Sequence, residues 1–248
     1  MQVSVIIIAR DAGRFLPSCL ASVKSLSDDV VVVIDDRTTD GSRKVAQDSQ
    51  ARTFTRKFIN FSNQKNYAAS EAKYNWIFSL DADETASLEL VAAIKNLPEI
   101  SLFPAYSVPR KNKIFGQIIN HTNWDPYGLV RLYDKSKCHW QGEVHEQVAV
   151  DGTAGRLYDP IHHDNYHTVD EFLARQNVYS SLEADRLFNQ GTRFSFVQLF
   201  FQPLFDFGRR YIWHAGFLDG MHGLALSYLM AVYHLSVWVK LWQKSPRA

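Results

Sequence analysis

The chain has 248 residues, 46% of them hydrophobic and 13% aromatic, enough apolar material for one large domain with or without an appendage, which excludes a disordered chain. Its 27 basic and 26 acidic residues leave a formal charge of +1, so no global field draws it to nucleic acid and any anion binding must be local. The two cysteines, Cys19 and Cys138, have neither metal-ligand spacing nor a disulfide pattern, and point to a reducing cytoplasm.

Val3 to Ala9 is a β-branched run, too short and without the basic lead of a secretory signal, and reads as a buried first strand. A helical pattern follows from about Phe15 to Leu26. Val30 to Ile34 is a second buried strand, ending at Asp35-Asp36. A helix is expected from near Asp40-Gly41-Ser42 to about Gln50, with Asp40 or Ser42 as its cap. A weaker strand at Arg52 to Phe54, a helix from Ser62 to Ala72 and a strand at Trp76 to Leu80 complete a strand-helix alternation. Such alternation predicts the nucleotide-binding half of a parallel α/β sheet.

Between Ala105 and His163 the pattern shortens and is punctuated by Gly, Pro and Asn. It predicts strands at 105–108, 129–133 and 146–150 in a mixed extension of the sheet. Thr168 is placed to cap a helix from Val169 to Asn189, whose apolar positions include Phe172, Val178 and Leu182. Beyond Gly191 the chain is aromatic-rich and helical. The expected organisation is therefore a catalytic domain over 1–190 and a helical region over 191–248.

Two acidic clusters stand at strand ends. Asp81-Ala82-Asp83-Glu84 follows Trp76 to Leu80, and two chemistries fit it: hard oxygen ligands for a divalent cation and its phosphates, or the first turn of a helix, which Asp and Glu also favour. Asp35-Asp36 ends the previous buried strand, where a carboxylate can accept a hydrogen bond from a ribose hydroxyl or a base N–H; a turn and cap is the alternative. Two acidic strand ends about 45 residues apart favour a ligand crevice over turn chemistry twice repeated. Gln64-Lys65-Asn66 opens the helix before the Asp81 strand, and Lys65 there either meets a phosphate or is a solvated helix start.

Taken in order, Val5-Ile6-Ile7-Ile8-Ala9-Arg10, Val33-Ile34-Asp35-Asp36-Arg37-Thr38-Thr39-Asp40-Gly41-Ser42, Gln64-Lys65-Asn66 and Leu80-Asp81-Ala82-Asp83-Glu84 resemble the signatures of family 2 glycosyltransferases. Trp124-Asp125-Pro126, Arg131-Leu132-Tyr133, Trp140-Gln141-Gly142-Glu143-Val144-His145-Glu146, His163-Asp164-Asn165-Tyr166 and Gly216-Phe217-Leu218-Asp219-Gly220 extend the likeness over nearly the whole chain. These later pieces resemble the bacterial subgroup of lipopolysaccharide core β-1,4-glucosyltransferases. Arg37 departs from the pattern, where many relatives carry a small residue, and puts the base contacted there in question.

The resemblance implies a GT-A fold, with a Rossmann-like nucleotide-binding sheet, a mixed extension and a C-terminal helical region. It also implies inverting transfer of a hexose, plausibly glucose, from a nucleoside-diphosphate sugar such as a UDP-sugar. On that reading Asp81 and Asp83 form the DxD element that holds Mg²⁺ or Mn²⁺, and His163 completes the cation's ligands. Asp35, Asp36, Arg10, Lys65 and Asp81 contact the nucleotide. Glu146 is the first candidate for the base that takes the acceptor proton, and Asp125 the second. Glu84 is expected only to begin the next helix. A separate zinc site drawn from His139, His145, His162, His163 and His167 has no short paired spacing with cysteine to support it.

Two rival readings follow from the same residues. A sugar-phosphate nucleotidyltransferase would use a glycine-rich basic loop after the first strand, whereas Ala9-Arg10-Asp11-Ala12-Gly13-Arg14 has one glycine and an acid. A membrane-associated nucleotide-sugar-binding protein without turnover would keep the fold alone. The tail from Phe194 to Trp242, with Arg209, Arg210, Lys240, Lys244 and Arg247, suits either the headgroup region of the inner membrane, where a lipid-linked saccharide acceptor would lie, or packing against protein. Gly223 to Val239 lacks acidic and basic side chains but carries His234, Ser and Tyr, which argues for peripheral contact on the cytoplasmic face rather than a span.

Overall fold

The computed structural model describes residues 1–124, 128–142 and 146–244. In chain order the regular elements are β1 (Val3–Ala9), α1 (Leu16–Val23), β2 (Val30–Asp35), α2 (Ser42–Asp48), β3 (Arg52–Arg56), α3 (Phe61–Glu71), β4 (Trp76–Asp81), β5 (Glu84–Ala86), α4 (Leu88–Lys95), β6 (Ala105–Val108), β7 (Arg110–Ile114), β8 (Gln117–Ile119), β9 (Leu129–Asp134), β10 (Cys138–Gln141), β11 (Gln147–Val150), β12 (Gly155–Arg156), β13 (Ile161–Tyr166), α5 (Val169–Asn189), α6 (Phe196–Gly208) and α7 (Gly220–Lys244). A π-helical turn, Arg209–Trp213, and a 3-10 turn, Gly216–Asp219, join α6 to α7. The expected alternation of strand and helix up to β4 is present, and so are the strands near 105, 129 and 147 and the helix over 169–189.

The chain forms two compact units: Met1–Lys111 with Pro126–His163, and Asn112–Asp125 with Asp164–Ala248. The boundary expected near Gly191 lies inside the second unit, because α5 packs on α7 and joins the helical region.

The first unit is built on a seven-stranded sheet of order β12-β6-β9-β4-β1-β2-β3. β1 pairs in parallel with both β2 and β4, so the strand order reverses at β1 and a crevice opens at the carboxyl ends of these three strands. β9 enters antiparallel between β4 and β6, which makes the sheet mixed on that side. Side chains alternate along β1: Val3, Val5, Ile7 and Ala9 join one apolar core, and Ile6 joins the other. Burial on both faces explains why these strands read as unbroken apolar runs. The first core packs beneath α1, α2 and α4, and the second beneath α3 and the β10-β11 hairpin.

Glu84 does not begin a helix. It opens β5, which pairs antiparallel with β13, and α4 starts later, where the Ser87 side chain accepts the Leu90 N–H at 3.1 Å. Gly41 takes the cap position of α2, and the Asp40 side chain serves the helix start from one residue back, its Oδ1 accepting the Ser42 N–H at 2.9 Å. Asp40 Oδ2 also accepts the Gly13 N–H at 2.7 Å and Ser42 Oγ accepts the Ala12 N–H at 2.8 Å, tying the loop after β1 to the loop after β2. A side chain at Gly13 would collide with the Asp40 carboxylate.

The second unit holds the β7-β8 hairpin over 112–119 and the three long helices. Its core joins Ile114, Ile119, Tyr166, Phe172, Leu226 and Met230. α7 is long and apolar enough to cross a membrane by length and composition, yet its buried residues, Gly223, Leu226, Met230, Val237 and Leu241 among them, recur on one face toward this core.

Ser4 fixes the entry of β1. Its hydroxyl donates to Asp29 Oδ2 at 2.5 Å and accepts the Tyr74 N–H at 2.9 Å. The Ser4→Ala variant leaves that amide without its acceptor, and its urea unfolding free energy is expected to fall by about 1–3 kcal/mol.

Candidate functional site at the strand ends

Asp35, the last residue of β2, is buried at the crevice with both oxygens occupied. Arg37 donates its backbone N–H and Nε to Oδ1, each at 3.0 Å, and Nη2 to Oδ2 at 2.7 Å. These bonds hold the Asp35 carboxyl well below the usual carboxylate range, against the opposing effect of burial. Arg10 stands 3.9 Å from the same carboxylate. Asp36 is exposed, and its carbonyl accepts from Arg43.

A cavity of about 190 Å³ opens beside Asp35, lined by Arg10, Arg37, Phe58, Phe61 and Gln64 among others. Phe58 and Phe61 meet edge to face at 5.1 Å, and the Arg37 guanidinium lies 5.7 Å from the Phe58 ring centre. Gln64 is 1% exposed, and its Oε1 has no hydrogen-bond partner among the described residues. Flat rings, a carboxylate and an unused buried acceptor suit a planar heterocycle bearing N–H donors.

A second cavity, of about 410 Å³, is lined by Lys65, Asp81, Arg110, Arg131, Trp140 and Glu146 with nearby backbone. Lys65 comes from the first half of α3, whose start is capped by Asn60 accepting the Asn63 N–H at 2.8 Å. Its ammonium lies 3.0 Å from Asp81 Oδ1 and 3.0 Å from Glu146 Oε1, and 4.3 Å from the Trp140 ring centre. The neighbouring Asn66 fixes that ring's strand: its Nδ2 donates to the Trp140 carbonyl and its Oδ1 accepts the Trp140 N–H, both at 2.8 Å. Lys65 is thus a buried cation held by two carboxylates and an aromatic face, not a solvated helix start.

Arg131 projects from β9 into the same cluster. Its Nη2 donates to Asp81 Oδ2 at 2.9 Å and to Glu84 Oε1 at 2.7 Å. Glu84, fully buried, also lies 3.4 Å from Arg110 Nη1 and accepts the Asp81 N–H at 3.0 Å. Burial disfavours the charged form of Asp81, but Arg131 and then Lys65 outweigh it and hold its carboxyl well below the ordinary value. Glu84 moves the other way: burial raises it, Arg131 opposes, and the Asp81 charge raises it further. Arg131 Nε and Nη1 have no hydrogen-bond partner among the described residues.

Of the expected metal ligands, Asp83 and His163 come together, with His163 Nε2 3.3 Å from Asp83 Oδ2, because β13 pairs His163 with Glu84. Asp81, expected as ligand or ribose contact, instead has both oxygens engaged by Lys65 and Arg131. Among the described residues no group of three or more His, Cys, Asp or Glu is gathered as a metal centre. A carboxylate and an imidazole nonetheless fit a cation that takes its other ligands from phosphate and water. Asp125 and His145 lie outside the described residues. Sequence patterns missed Arg110 and the role of Glu84, and singled out Arg131 only within the Arg131-Leu132-Tyr133 motif; a lone arginine among the apolar residues of β9 was the available signal.

An aromatic pocket holding one buried carboxylate lies beside a cation-rich cavity, both at the ends of parallel strands, where open α/β proteins take their ligands. Residues 4–141, more than half of the chain, match the family described as Glycosyl transferase family 2, and the protein belongs to that family. The lipopolysaccharide core biosynthesis glycosyltransferase LpsC of Rhizobium meliloti is 25% identical over 247 residues, spanning 93% of this chain and 91% of its own. An uncharacterized glycosyltransferase of Rickettsia typhi, RT0209, is 24% identical over 93% of this chain and 83% of its own. Among solved structures, S. aureus TarS 1-349 in complex with UDP aligns over 100% of this chain and 93% of its own, with 12% identity and a TM-score of 0.48. Glucosyl-3-phosphoglycerate synthase from Mycobacterium tuberculosis, in complex with Mg²⁺ and UDP, aligns over 73% and 78%, with 12% identity and a TM-score of 0.47.

Two outcomes test the electrostatics. Glu84→Ala leaves Arg131 and Arg110 short of a buried counter-charge, and is expected to lower the unfolding free energy by about 3 kcal/mol or more in urea titrations. Because its folded-state value is depressed, the Asp35 carboxyl contributes stability above its unfolded value, about 3.9, and loses it as pH falls through the folded value. The stability gap between the parent and Asp35→Asn is therefore expected to be full at neutral pH and to shrink toward acid, read from urea midpoints across the acid range.

Proposed function

We propose that this family 2 glycosyltransferase is an inverting enzyme that moves a hexose, glucose by first choice, from a UDP-sugar to a saccharide of a bacterial envelope glycolipid. The observation that carries the reading is Lys65, bridging Asp81 and Glu146 in one cavity a few residues along α3 from the Asp35 pocket. The full-length likeness to LpsC, which is named for lipopolysaccharide core biosynthesis, supports the acceptor class. Two free buried thiols, Cys19 and Cys138, fit a cytoplasmic enzyme.

In this reading the base lies between Phe58, Phe61 and Gln64, with Asp35 and Arg10 at its edge and Asp36 toward the ribose. Arg131 and Lys65 face the diphosphate, and Asp81 orients both. Asp83 and His163 would hold Mg²⁺ or Mn²⁺, which offsets the charge that builds on the departing nucleoside diphosphate. Glu146 takes the proton of the acceptor hydroxyl as its oxygen bonds to the anomeric carbon from the face opposite the leaving group. The bond to the nucleoside diphosphate breaks with its electron pair going to the phosphate oxygen, and the anomeric configuration inverts. Lys65 keeps the Glu146 carboxylate oriented until the acceptor arrives. Asp125 is the alternative base.

Release of nucleoside diphosphate from UDP-glucose, measured with and without Mn²⁺, tests the reading. Asp83→Asn is expected to lose about 10²-fold or more of the metal-dependent turnover, and Glu146→Gln about 10²–10⁴-fold of the transfer step while donor binding persists. Full activity in both variants would refute the assignment.

A further inference from the structure

The second unit exposes an apolar face that the catalytic reading does not use. Along α6, Phe196, Val197, Phe200, Phe201, Leu204 and Phe205 are each at least 55% exposed, and the π-helical turn adds Ile212 and Trp213, at 69% and 84%. The α6 positions recur at i, i+1, i+4 and i+5, so they form one broad stripe. A groove of about 530 Å³ runs between Leu204, Phe205, Ile212 and Trp213, and Arg209 and His214 also line it.

The charges of this segment are sorted by sign. Between Gly191 and Leu224 the only carboxylates are Asp206 and Asp219, and both are buried. Asp206 is held by Arg210 at 2.7 Å and by Arg209 at 2.5 Å, and Asp219 accepts the His121 N–H at 2.9 Å. Arg193 stands exposed just before α6, and Arg209 keeps about a third of its side chain in solvent. The outer surface is therefore apolar and cationic, with no exposed carboxylate.

We infer that this face docks on an anionic lipid bilayer, the rings of α6 and Trp213 entering the boundary between headgroups and acyl chains while Arg193 and Arg209 meet the phosphates. A protein partner would be expected to supply about one hydrogen bond per 100–200 Å² of interface, but the six α6 side chains of the stripe offer no hydrogen-bonding group. A bilayer asks for none, and it rewards aromatic rings and cations together. The inference deepens the proposed glycolipid acceptor, since an acceptor embedded in a bilayer has to be met at its surface.

The full-length protein is to be floated with vesicles of phosphatidylethanolamine and phosphatidylglycerol, and in parallel with phosphatidylcholine alone, with size-exclusion light scattering of the free protein alongside. Binding to the anionic vesicles is expected to fall roughly ten-fold or more in a Phe200→Ser, Leu204→Gln, Trp213→Ser triple variant. Arg193→Gln is expected to weaken it about five-fold while leaving the apolar face intact. Nucleoside diphosphate release in the triple variant should match the parent, which shows that the protein is folded and separates the two readings: intact turnover with lost flotation supports the docking face, whereas a parent that floats on anionic vesicles but releases no nucleoside diphosphate would sink only the catalytic reading. A parent that stays off anionic vesicles, a triple variant that floats as well as the parent, or a dimer abolished by the triple substitution in a protein that ignores vesicles would each overturn the inference.

Discussion

Two buried cations, Lys65 and Arg131, set the terms for everything at the strand ends. An isolated charge in such a place costs several kcal/mol, so each needs counter-charges at hydrogen-bond distance, and the first unit supplies them from three separate stretches of chain. Asp81 comes from the end of β4, Glu84 from the start of β5 and Glu146 from the residue before β11, while Arg131 itself rides on β9. The carboxylates are consequently fixed by electrostatics as much as by backbone, and Asp81 and Glu84 divide the burden unequally, one held low and the other pushed up.

That division clarifies what an acidic strand end is for. An Asp-x-Asp sequence invites the assumption that both carboxylates serve the same ligand, yet here the first faces two cations and the second faces an imidazole. In the proposed reading arginine and lysine would meet the diphosphate directly, and a cation held by Asp83 and His163 would have less charge to offset than in a site built from acids alone.

The parallel half of the sheet was legible because its strands are buried on both faces and announce themselves as unbroken Val and Ile runs. β5, β10, β12 and β13 were not, since each has only two to six residues and mixes polar with apolar side chains, too little for a periodic pattern to show. Asp35, Asp81, Asp83, Lys65, Glu146 and His163 were legible as candidates from type and order. Their partners were not, because a contact such as Arg131 with Glu84 joins residues 47 apart and leaves no local trace. The helix-start reading of Glu84 failed for a related reason: burial beside Arg131 outweighed the preference of acids for first turns. The surface of α6 was legible in composition alone, and only the inward turn of Asp206 and Asp219 shows that its exposed side lacks negative charge.

The two hydrogen bonds between Asn66 and the backbone of Trp140 reach beyond local stability. The β10-β11 hairpin is a separate two-stranded sheet and takes no backbone pairing from the seven-stranded one. The Asn66 carboxamide shares the joining of the hairpin with side-chain bonds from Ser62 to the Gly142 carbonyl and from Trp140 Nε1 to the Tyr133 hydroxyl, and with the Lys65–Glu146 pair. The hairpin is thus held by side chains and not by a shared ladder, so a change in its twist is felt first at Trp140 and Glu146 and leaves the register of the seven strands alone.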